Sequence, residues 1–312
     1  MTNLPFIAPL DERLPLINEL PPFGPTPVPE EIAAFDAFAA PVDGYAPPEV
    51  ATEDLEIPGP HGSIPVRVYR PEGDARFGFV WIHGGGFVFG DIDMAESDTV
   101  ARELAVRAGA VIVTVDYRLC QGGVHFPVPH DDVFTAYRWA TTAGLVPAGA
   151  SWAVGGGSAG GCLAAGLAQR LRDEGTPTAA QVLVYPVLHD PVPQGDPTFQ
   201  ERMTALPVVL RFPPEFTRFL NSNYLGENPS DVAYAFAGEG DVSGLPPTLI
   251  TVADHDELRP SGERYAAQIE ESGGAVEVEF VADSPHGYLG IGGLSSATTS
   301  LERITAFLLE HC

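Results

Sequence analysis

The residues around Ser158 are the first group whose types and spacing suggest chemistry. The chain reads Gly-Gly-Ser-Ala-Gly-Gly over 156–161, between a predicted strand and a predicted helix. This is a G-x-S-x-G pattern, in which the serine occupies a strained strand-to-helix turn and glycines without Cβ atoms permit close packing on both sides. The following helix places its N-terminus beside the serine oxygen, so the amide of Ala159 can bind an oxyanion. The pattern predicts that Ser158 is a nucleophile.

The same glycines also match a dinucleotide-binding pattern, G-x-G-x-x-G over 155–160. Such a site requires an acid about 20 residues further on, at the end of the next strand. The next predicted strand ends at Tyr185, and no acid follows before Asp190. The pattern also usually opens a domain, whereas three predicted strand–helix units precede it here. The nucleophile is therefore favoured over a dinucleotide site or a purely structural turn.

A second glycine run, Gly84, Gly85 and Gly86, lies about 70 residues before the serine and follows His83 at the end of an apolar strand. Backbone amides without neighbouring side chains can hold the negative oxygen of a tetrahedral intermediate. The G-x-S-x-G template places such a loop after strand three and the serine after strand five. We predict an oxyanion hole formed by amides of this loop, with Gly85 favoured, and by the amide of Ala159; His83 would orient the loop.

The catalytic base and acid should follow the serine in the chain, with the acid first. His286 lies in a loop after the last predicted strand, where catalytic residues are common, whereas His311 lies in the final helix. The acid should lie on the loop after the preceding strand, where it would fix the tautomer of the histidine and stabilise the imidazolium. Asp254, Asp256 and Glu257 all qualify by position, and spacing alone does not choose between them.

The segments between these residues alternate between strands and helices. Strands are predicted over 64–70, 77–83, 110–116, 152–155, 181–185, 248–253 and 275–281, and helices over 29–40, 96–108, 131–143, 159–174, 214–224, 261–272 and 294–310. Nearly continuous apolar strands are typical of a parallel sheet covered by helices on both faces. We predict an α/β fold with a catalytic domain over 51–186 and 246–312. The Pro-rich arm 1–50 and the irregular insert 187–245 would form a cap over the carboxyl ends of the strands.

The composition excludes several kinds of chemistry. The 312 residues include 42 acidic and 16 basic side chains, for a formal net charge of −26, and every basic residue is Arg. Without Lys there is no Schiff-base nucleophile, pyridoxal-phosphate anchor, P-loop or protein-kinase lysine. Nucleic-acid binding is not expected, because it requires a basic surface.

The sequence also makes negative predictions about location and cofactors. The N-terminal residues lack a basic region and no apolar run reaches about 20 residues, so we predict a cytoplasmic protein that does not bind membranes. The three cysteines are too few for a disulfide framework: Cys120, Cys162 and Cys312. His125, His130 and Asp131 match no metal-binding spacing, so no metal is expected.

Taken together, these motifs resemble the hormone-sensitive-lipase-like branch of the α/β-hydrolase carboxylesterases over roughly residues 50–312. The resemblance rests on H-G-G-G over 83–86, D-Y-R-L over 116–119, the acidic pair 131–132 and L-P-P-T over 245–248. It implies the α/β-hydrolase fold and a serine carboxylesterase that acts through an acyl-enzyme without a cofactor. The family's D-P-L-R segment matches 256–259, which assigns the acid to Asp256.

The sequence departs from the family pattern at two places. Gly157 stands where the family usually has Asp, and Cys-Gln-Gly-Gly over 120–123 replaces the usual Ala-Pro-Glu. The resemblance implies small or medium acyl esters, and the acidic balance favours neutral ones. Phe212, Phe216 and Phe219 in the insert would line the acyl pocket or form the core of the cap. A homo-oligomer is compatible with the sequence.

Two other functions remain open at this point. The same catalytic residues could cleave an amide, lactone or carbamate, and the same fold could serve as a non-catalytic small-molecule receptor. The intact set of Ser158, Asp256 and His286 argues against the receptor, because a receptor can lose the base without penalty.

Overall fold

The structure is a computed structural model that describes residues 6–21, 28–42 and 44–312. The strands in this part of the chain are β1 Ala51–Gly59, β2 Gly62–Arg70, β3 Gly78–Ile82, β4 Val111–Val115, β5 Trp152–Gly157, β6 Gln181–Val184, β7 Thr248–His255 and β8 Val276–Pro285. The helices are α1 Leu10–Arg13, α2 Pro29–Phe38, α3 Ala95–Ala108, α4 Val128–Thr142, α5 Ala159–Asp173, α6 Pro197–Met203, α7 Pro214–Leu225, α8 Arg259–Glu271 and α9 Ser295–His311.

The eight strands form one sheet in the order β1-β2-β4-β3-β5-β6-β7-β8. The β1–β2 and β2–β4 pairs are antiparallel, and every pair from β4 to β8 is parallel. Every residue of β3 to β7 is buried, as expected for parallel strands covered on both faces. The predicted α/β fold is therefore confirmed.

Two apolar layers enclose the sheet. Val80 and Ile82 of β3 face a layer that includes α4, α5 and α8, whereas Phe79 and Trp81 face a layer that includes α3 and α9. This division follows from the two-residue period of a strand, which sends successive side chains to opposite faces. The sheet is thus packed between helices on both faces, and this packing positions the loops at its carboxyl ends.

Three elements are absent from the sequence prediction, and one of them is the four-residue helix α1 in the arm. β1 is absent from the prediction because six of its nine residues are exposed, so the strand lacks an apolar signal. It forms because its backbone pairs along its whole length with β2. The short helix α6 in the insert is also absent from the prediction; its N-terminus is capped by Asp196, whose side chain accepts the N–H of Phe199 at 2.8 Å.

The predicted N-terminal arm and insert share one buried layer. Leu10, Leu14 and Ile17 of the arm belong to the same apolar cluster as Met203 and Leu206 of the insert. Residues 1–5, 22–27 and 43 of the predicted arm lie outside the described residues. The shared layer supports a joint cap, and the domain boundaries stay a prediction.

Candidate active site

Ser158 lies in a sharp turn between β5 and α5. Its backbone has φ 53° and ψ −118°, a conformation that disfavours side chains and is typical of strained functional sites. The turn also needs glycine nearby: a methyl group on Gly160 would lie 2.5 Å from the carbonyl oxygen of His83 and still closer to that of Ile82. The turn that carries Ser158 can therefore approach the end of β3 only because residue 160 has no Cβ.

The structure brings the three predicted catalytic side chains together. Ser158 Oγ lies 2.9 Å from His286 Nε2, and His286 Nδ1 lies 2.7 Å from Asp256 Oδ2. Asp256 is fully buried, and its Oδ1 accepts the N–H of Leu258 at 2.8 Å. This arrangement suits a base whose tautomer and ring orientation are set by a buried carboxylate.

Strand pairing explains why residues 30 positions apart meet. β7 and β8 run side by side, and a register shift near the end of β7 pairs His255 with Pro285. Asp256 and His286 directly follow the two strands, so their side chains lie next to each other at the carboxyl edge of the sheet. The sequence prediction ended β7 two residues and β8 four residues too early, so it could not show this pairing.

The other two acids that qualified by position have different partners. Asp254 pairs with Arg202 at 2.9 Å and with Arg259 at 3.3 Å. Glu257 pairs with Arg211 at 3.0 Å and also accepts the N–H of Phe212, which ties the insert to the acid loop. Their carboxylates are thus engaged elsewhere, while Asp256 reaches the histidine.

The glycine loop meets the serine because β3 and β5 are neighbours, with Ile82 paired to Gly156. Gly85 and Gly86 have φ values of +109° and +58°, which favour glycine. Among the described residues, their amides and that of Ala159 have no hydrogen-bond acceptor, so they are free to face an oxyanion.

Gly84 does not fit the predicted oxyanion hole. Its N–H donates to Oε1 of Glu96 at 2.7 Å. Because one N–H cannot bind a carboxylate and an oxyanion at once, this contact removes Gly84 from the predicted donors.

Two aromatic residues support the glycine loop from behind. His83 Nδ1 lies 2.7 Å from the carbonyl oxygen of Gly84, and its ring stacks on Tyr117 at 4.4 Å. Burial lowers the pKa of His83 to about 4, so the ring is neutral at pH 7. The Tyr117 hydroxyl donates to the carbonyl oxygen of His83 at 3.1 Å. These contacts fit the predicted role of His83 in orienting the loop.

Other segments noted in the sequence have structural partners. Arg118 donates through its backbone N–H and its guanidinium to the buried Asp132. Cys120 is buried, and burial raises the pKa of its thiol to about 12, so it is not a thiolate at pH 7. His125 Nδ1 contacts the carbonyl oxygen of Asn223 at 2.6 Å. None of these contacts places the groups at the serine.

The structure separates the three predicted pocket phenylalanines. The ring of Phe212 lies 4.5 Å from that of His286, and the ring of Phe216 lies 6.1 Å from that of Phe212. Phe219 is half exposed, so the structure does not place it with these two rings, and its role in a pocket stays a prediction. Its neighbour Leu220 instead packs over Gly86, where a methyl group would lie 3.1 Å from Leu220 Cδ1.

Leu220, Glu96 and Tyr185, whose ring lies 4.7 Å from that of His286, are site neighbours that sequence reasoning missed. A signal for Leu220 exists, because it stands four residues after Phe216 and therefore on the same helical face. Glu96 carries no such signal, since an acid in the first turn of a helix is common for electrostatic reasons.

Comparisons with known proteins identify a family and several relatives of this chain. A family model described as alpha/beta hydrolase fold matches residues 79–290. The esterase LipI of Mycobacterium tuberculosis is 37% identical over 262 residues, which cover 81% of this chain and 79% of LipI. The carboxylesterase NlhH of the same species is 37% identical over 255 residues, covering 78% of this chain and 76% of NlhH.

A solved structure of a hyperthermophilic esterase from the archaeon Pyrobaculum calidifontis matches with a TM-score of 0.75 and 32% identity, covering 85% of this chain and 87% of that one. Fold, site and relatives together define a serine hydrolase of the α/β-hydrolase fold. The chain belongs to the hormone-sensitive-lipase-like family of that fold. It is a carboxylic ester hydrolase, as the sequence predicted.

Proposed function

We propose that this esterase hydrolyses small to medium neutral acyl esters through an acyl-enzyme on Ser158. The observation that carries the proposal is the continuous chain of contacts from Asp256 through His286 to Ser158 Oγ, at 2.7 and 2.9 Å. The free amides of Gly85, Gly86 and Ala159 supply the complementary donors at the other side of the serine.

The reaction has two halves that use the same residues. His286 Nε2 takes the proton of Ser158 as Oγ bonds to the ester carbonyl carbon, and the carbonyl oxygen becomes an oxyanion. The intermediate collapses when His286 returns the proton to the leaving alcohol, which leaves the acyl group on Ser158. In the second half, His286 takes a proton from a water molecule as its oxygen attacks the acyl carbon. His286 then returns the proton to Ser158 Oγ, and the carboxylic acid is released.

The preference for neutral, modest-sized esters is supported by what surrounds the serine. Phe212 covers the ring of His286 and Leu220 covers Gly86, so apolar side chains from the insert restrict the space beside the nucleophile. The net charge of −26 disfavours the approach of anionic substrates.

Turnover of a p-nitrophenyl ester series from acetate upward tests this proposal, with Ser158→Ala as the matched variant. We expect hydrolysis by the wild type, stoichiometric labelling of Ser158 by a serine-directed phosphonate, and loss of both in the variant. Activity that survives Ser158→Ala would refute the nucleophile. Equal rates for neutral and anionic esters of one size at low salt would refute the preference for neutral substrates.

The same assays separate the other two functions. Faster turnover of amides, lactones or carbamates than of matched esters would favour the first alternative, and ligand binding without turnover or labelling would favour a receptor. No helix in the described ranges has the length and apolarity to cross a bilayer. The cytoplasmic location and the homo-oligomer stay predictions, and cell fractionation and light scattering test them.

A further inference from the structure

The carboxylate of Glu96, near the start of α3, lies between the segments that form the active site. Its Oε1 accepts the N–H of Gly84 at 2.7 Å, and its Oε2 accepts the hydroxyl of Tyr185 at 2.7 Å. The backbone carbonyl of Glu96 accepts the indole N–H of Trp81 at 2.8 Å. Both carboxylate oxygens are thus bound by donors, one from the glycine loop and one from the end of β6.

Each partner of Glu96 is itself next to a reacting group. Gly84 directly precedes the free amides of Gly85 and Gly86, so its orientation sets theirs. The ring of Tyr185 lies 4.7 Å from the ring of His286. The carboxylate therefore contacts the support of the oxyanion donors and the support of the base together.

The same carboxylate fills the space beside the residue that precedes the nucleophile. A methyl group on Gly157 would lie 2.7 Å from Oε1 of Glu96, so any side chain at position 157 would require Glu96 to shift. Position 157 is also where this sequence departs from the aspartate usual in the family it resembles. An acid from α3 thus occupies the volume that a side chain at 157 would otherwise take.

We propose that Glu96 is a positioning residue for ester hydrolysis: its carboxylate, in the place left open by Gly157, holds the oxyanion loop against the serine turn and Tyr185 against the base. This role rests on the proposed function, because it acts through the amides of Gly85 and Gly86 and through His286. Burial raises the pKa of Glu96, while the Tyr185 and Gly84 hydrogen bonds oppose that shift. Both partners donate, so the contacts suit the ionised form.

The proposal predicts a change in turnover rather than in substrate binding. Without the carboxylate, the Gly84 peptide loses its acceptor and can rotate, which turns the next two amides away from the oxyanion. Loss of one oxyanion donor costs on the order of 10²–10³ in turnover, and a loosened pair should cost somewhat less. We expect Glu96→Ala to lower kcat about 10- to 100-fold and to change KM less than about threefold.

Two further variants separate positioning from general packing. Glu96→Gln keeps an acceptor for Gly84 and can donate to the Tyr185 oxygen, so it should retain kcat within about tenfold of the wild type. The double variant Glu96→Ala/Gly157→Asp returns a carboxylate to the same space from the serine turn. We expect it to recover at least about tenfold of the kcat lost in Glu96→Ala, a coupling that independent sites would not show.

Glu103→Gln is the matched control. Glu103 lies on the same helix, is buried, and also accepts a tyrosine hydroxyl, that of Tyr45 at 2.9 Å. It does not contact the glycine loop or the base, so its variant should keep wild-type kcat.

A trifluoromethyl ketone provides the decisive readout, because its adduct with Ser158 carries an oxyanion. Its inhibition constant should rise in Glu96→Ala in parallel with the fall in kcat, while KM stays nearly constant. Phosphonate titration and thermal unfolding correct every rate for folded, active enzyme. If Glu96→Ala does not fold, Glu96→Gln and the double variant carry the test.

The outcomes are distinct. Wild-type kcat in folded Glu96→Ala, a folded double variant no faster than Glu96→Ala, or a Glu96→Gln variant as slow as Glu96→Ala would each overturn the proposal. If Glu96→Ala is unfolded, a kcat of folded Glu96→Gln more than about tenfold below that of the wild type overturns it. Absence of turnover in the wild type and in Glu103→Gln would instead refute the proposed function, and the positioning role with it.

Discussion

Replacement of Gly160 by alanine tests whether the close approach of the serine turn to β3 sets both stability and turnover. Gly160 lies in the first turn of α5, two residues after Ser158. Helix propensity alone would favour alanine there by about 0.8–1.0 kcal/mol. Any destabilisation must therefore come from the contact that the added methyl group makes.

The geometry gives the size of the effect. The methyl carbon would lie 2.5 Å from the carbonyl oxygen of His83 and 2.7 Å from the carbonyl carbon of Ile82. These separations are about 1 Å shorter than the optimal contact of roughly 3.5–4.0 Å, and backbone atoms cannot rotate away. Overpacking of this kind costs about 1–3 kcal/mol, and a displacement of about 1 Å at a catalytic group can lower turnover about 10²-fold.

The assay is ester hydrolysis with phosphonate-titrated enzyme, together with urea unfolding of the same samples. Gly166→Ala is the matched control, because it lies in the same helix and its methyl group would lie 3.1 Å from the carbonyl carbon of Tyr234 and closer to its oxygen. That contact is with the insert, away from the serine turn. We expect both variants to lose stability and only Gly160→Ala to lose about 10²-fold in kcat.

Wild-type kcat and stability in Gly160→Ala would refute this prediction, since the turn would then tolerate a side chain. An equal loss of turnover in Gly166→Ala and Gly160→Ala would refute it as well. In that case the defect would follow from strain in α5 rather than from the position of the nucleophile.

Three other results are expected. Phe212→Ala should lower kcat/KM for a butyrate ester about 3- to 10-fold through lost aromatic contact, while Phe219→Ala, at an exposed site, should not; steady-state kinetics compare them. Asp132→Asn should lower the urea-derived free energy of unfolding by about 1–3 kcal/mol, because the partly exposed Arg118 loses a buried charged acceptor; an unchanged midpoint would contradict this. Burial lowers the pKa of His130 to about 3, below its unfolded value. Its contribution to the free energy of unfolding is therefore fully present above about pH 6.5 and is lost as the pH falls toward 3. Urea unfolding at pH 7, 5.5 and 4.5 should show that the free energy of unfolding falls less steeply with pH in His130→Gln than in the wild type, by up to about 1.4 kcal/mol per pH unit.

Most of the parallel sheet could be predicted because buried strands are apolar along their length and helices carry a periodic apolar face. β1 could not, because its residues are largely exposed and only its pairing with β2 makes it a strand. The α6 helix could not either, since seven residues in an irregular, Pro-rich insert carry little periodicity. The local sequence does not predict the conformation of a segment where pairing or packing with distant segments decides it.

Some residues of the candidate site could likewise be predicted from the sequence, and others could not. Ser158 could be predicted because the strained turn requires glycines at fixed positions around the serine. His286 could be predicted because chain order and its position in a loop after a strand leave few other histidines. Among the neighbouring acids, position alone could not separate Asp256 from Asp254. The choice depends on which carboxylate faces the histidine once β7 and β8 have paired, and that pairing includes a register shift that no local pattern announces.

The sequence by itself determined the chemistry that this esterase can perform. The absence of Lys removed whole classes of mechanism, and glycines at 84–86 and 156–161 required a backbone that approaches other atoms closely. Only the tertiary structure decided which amides remain free and which carboxylate serves which partner. In the folded chain the Gly84 amide donates to Glu96, which lies on a helix with no catalytic motif. Chain order does not encode this contact, because a hydrogen bond depends on the distance between segments.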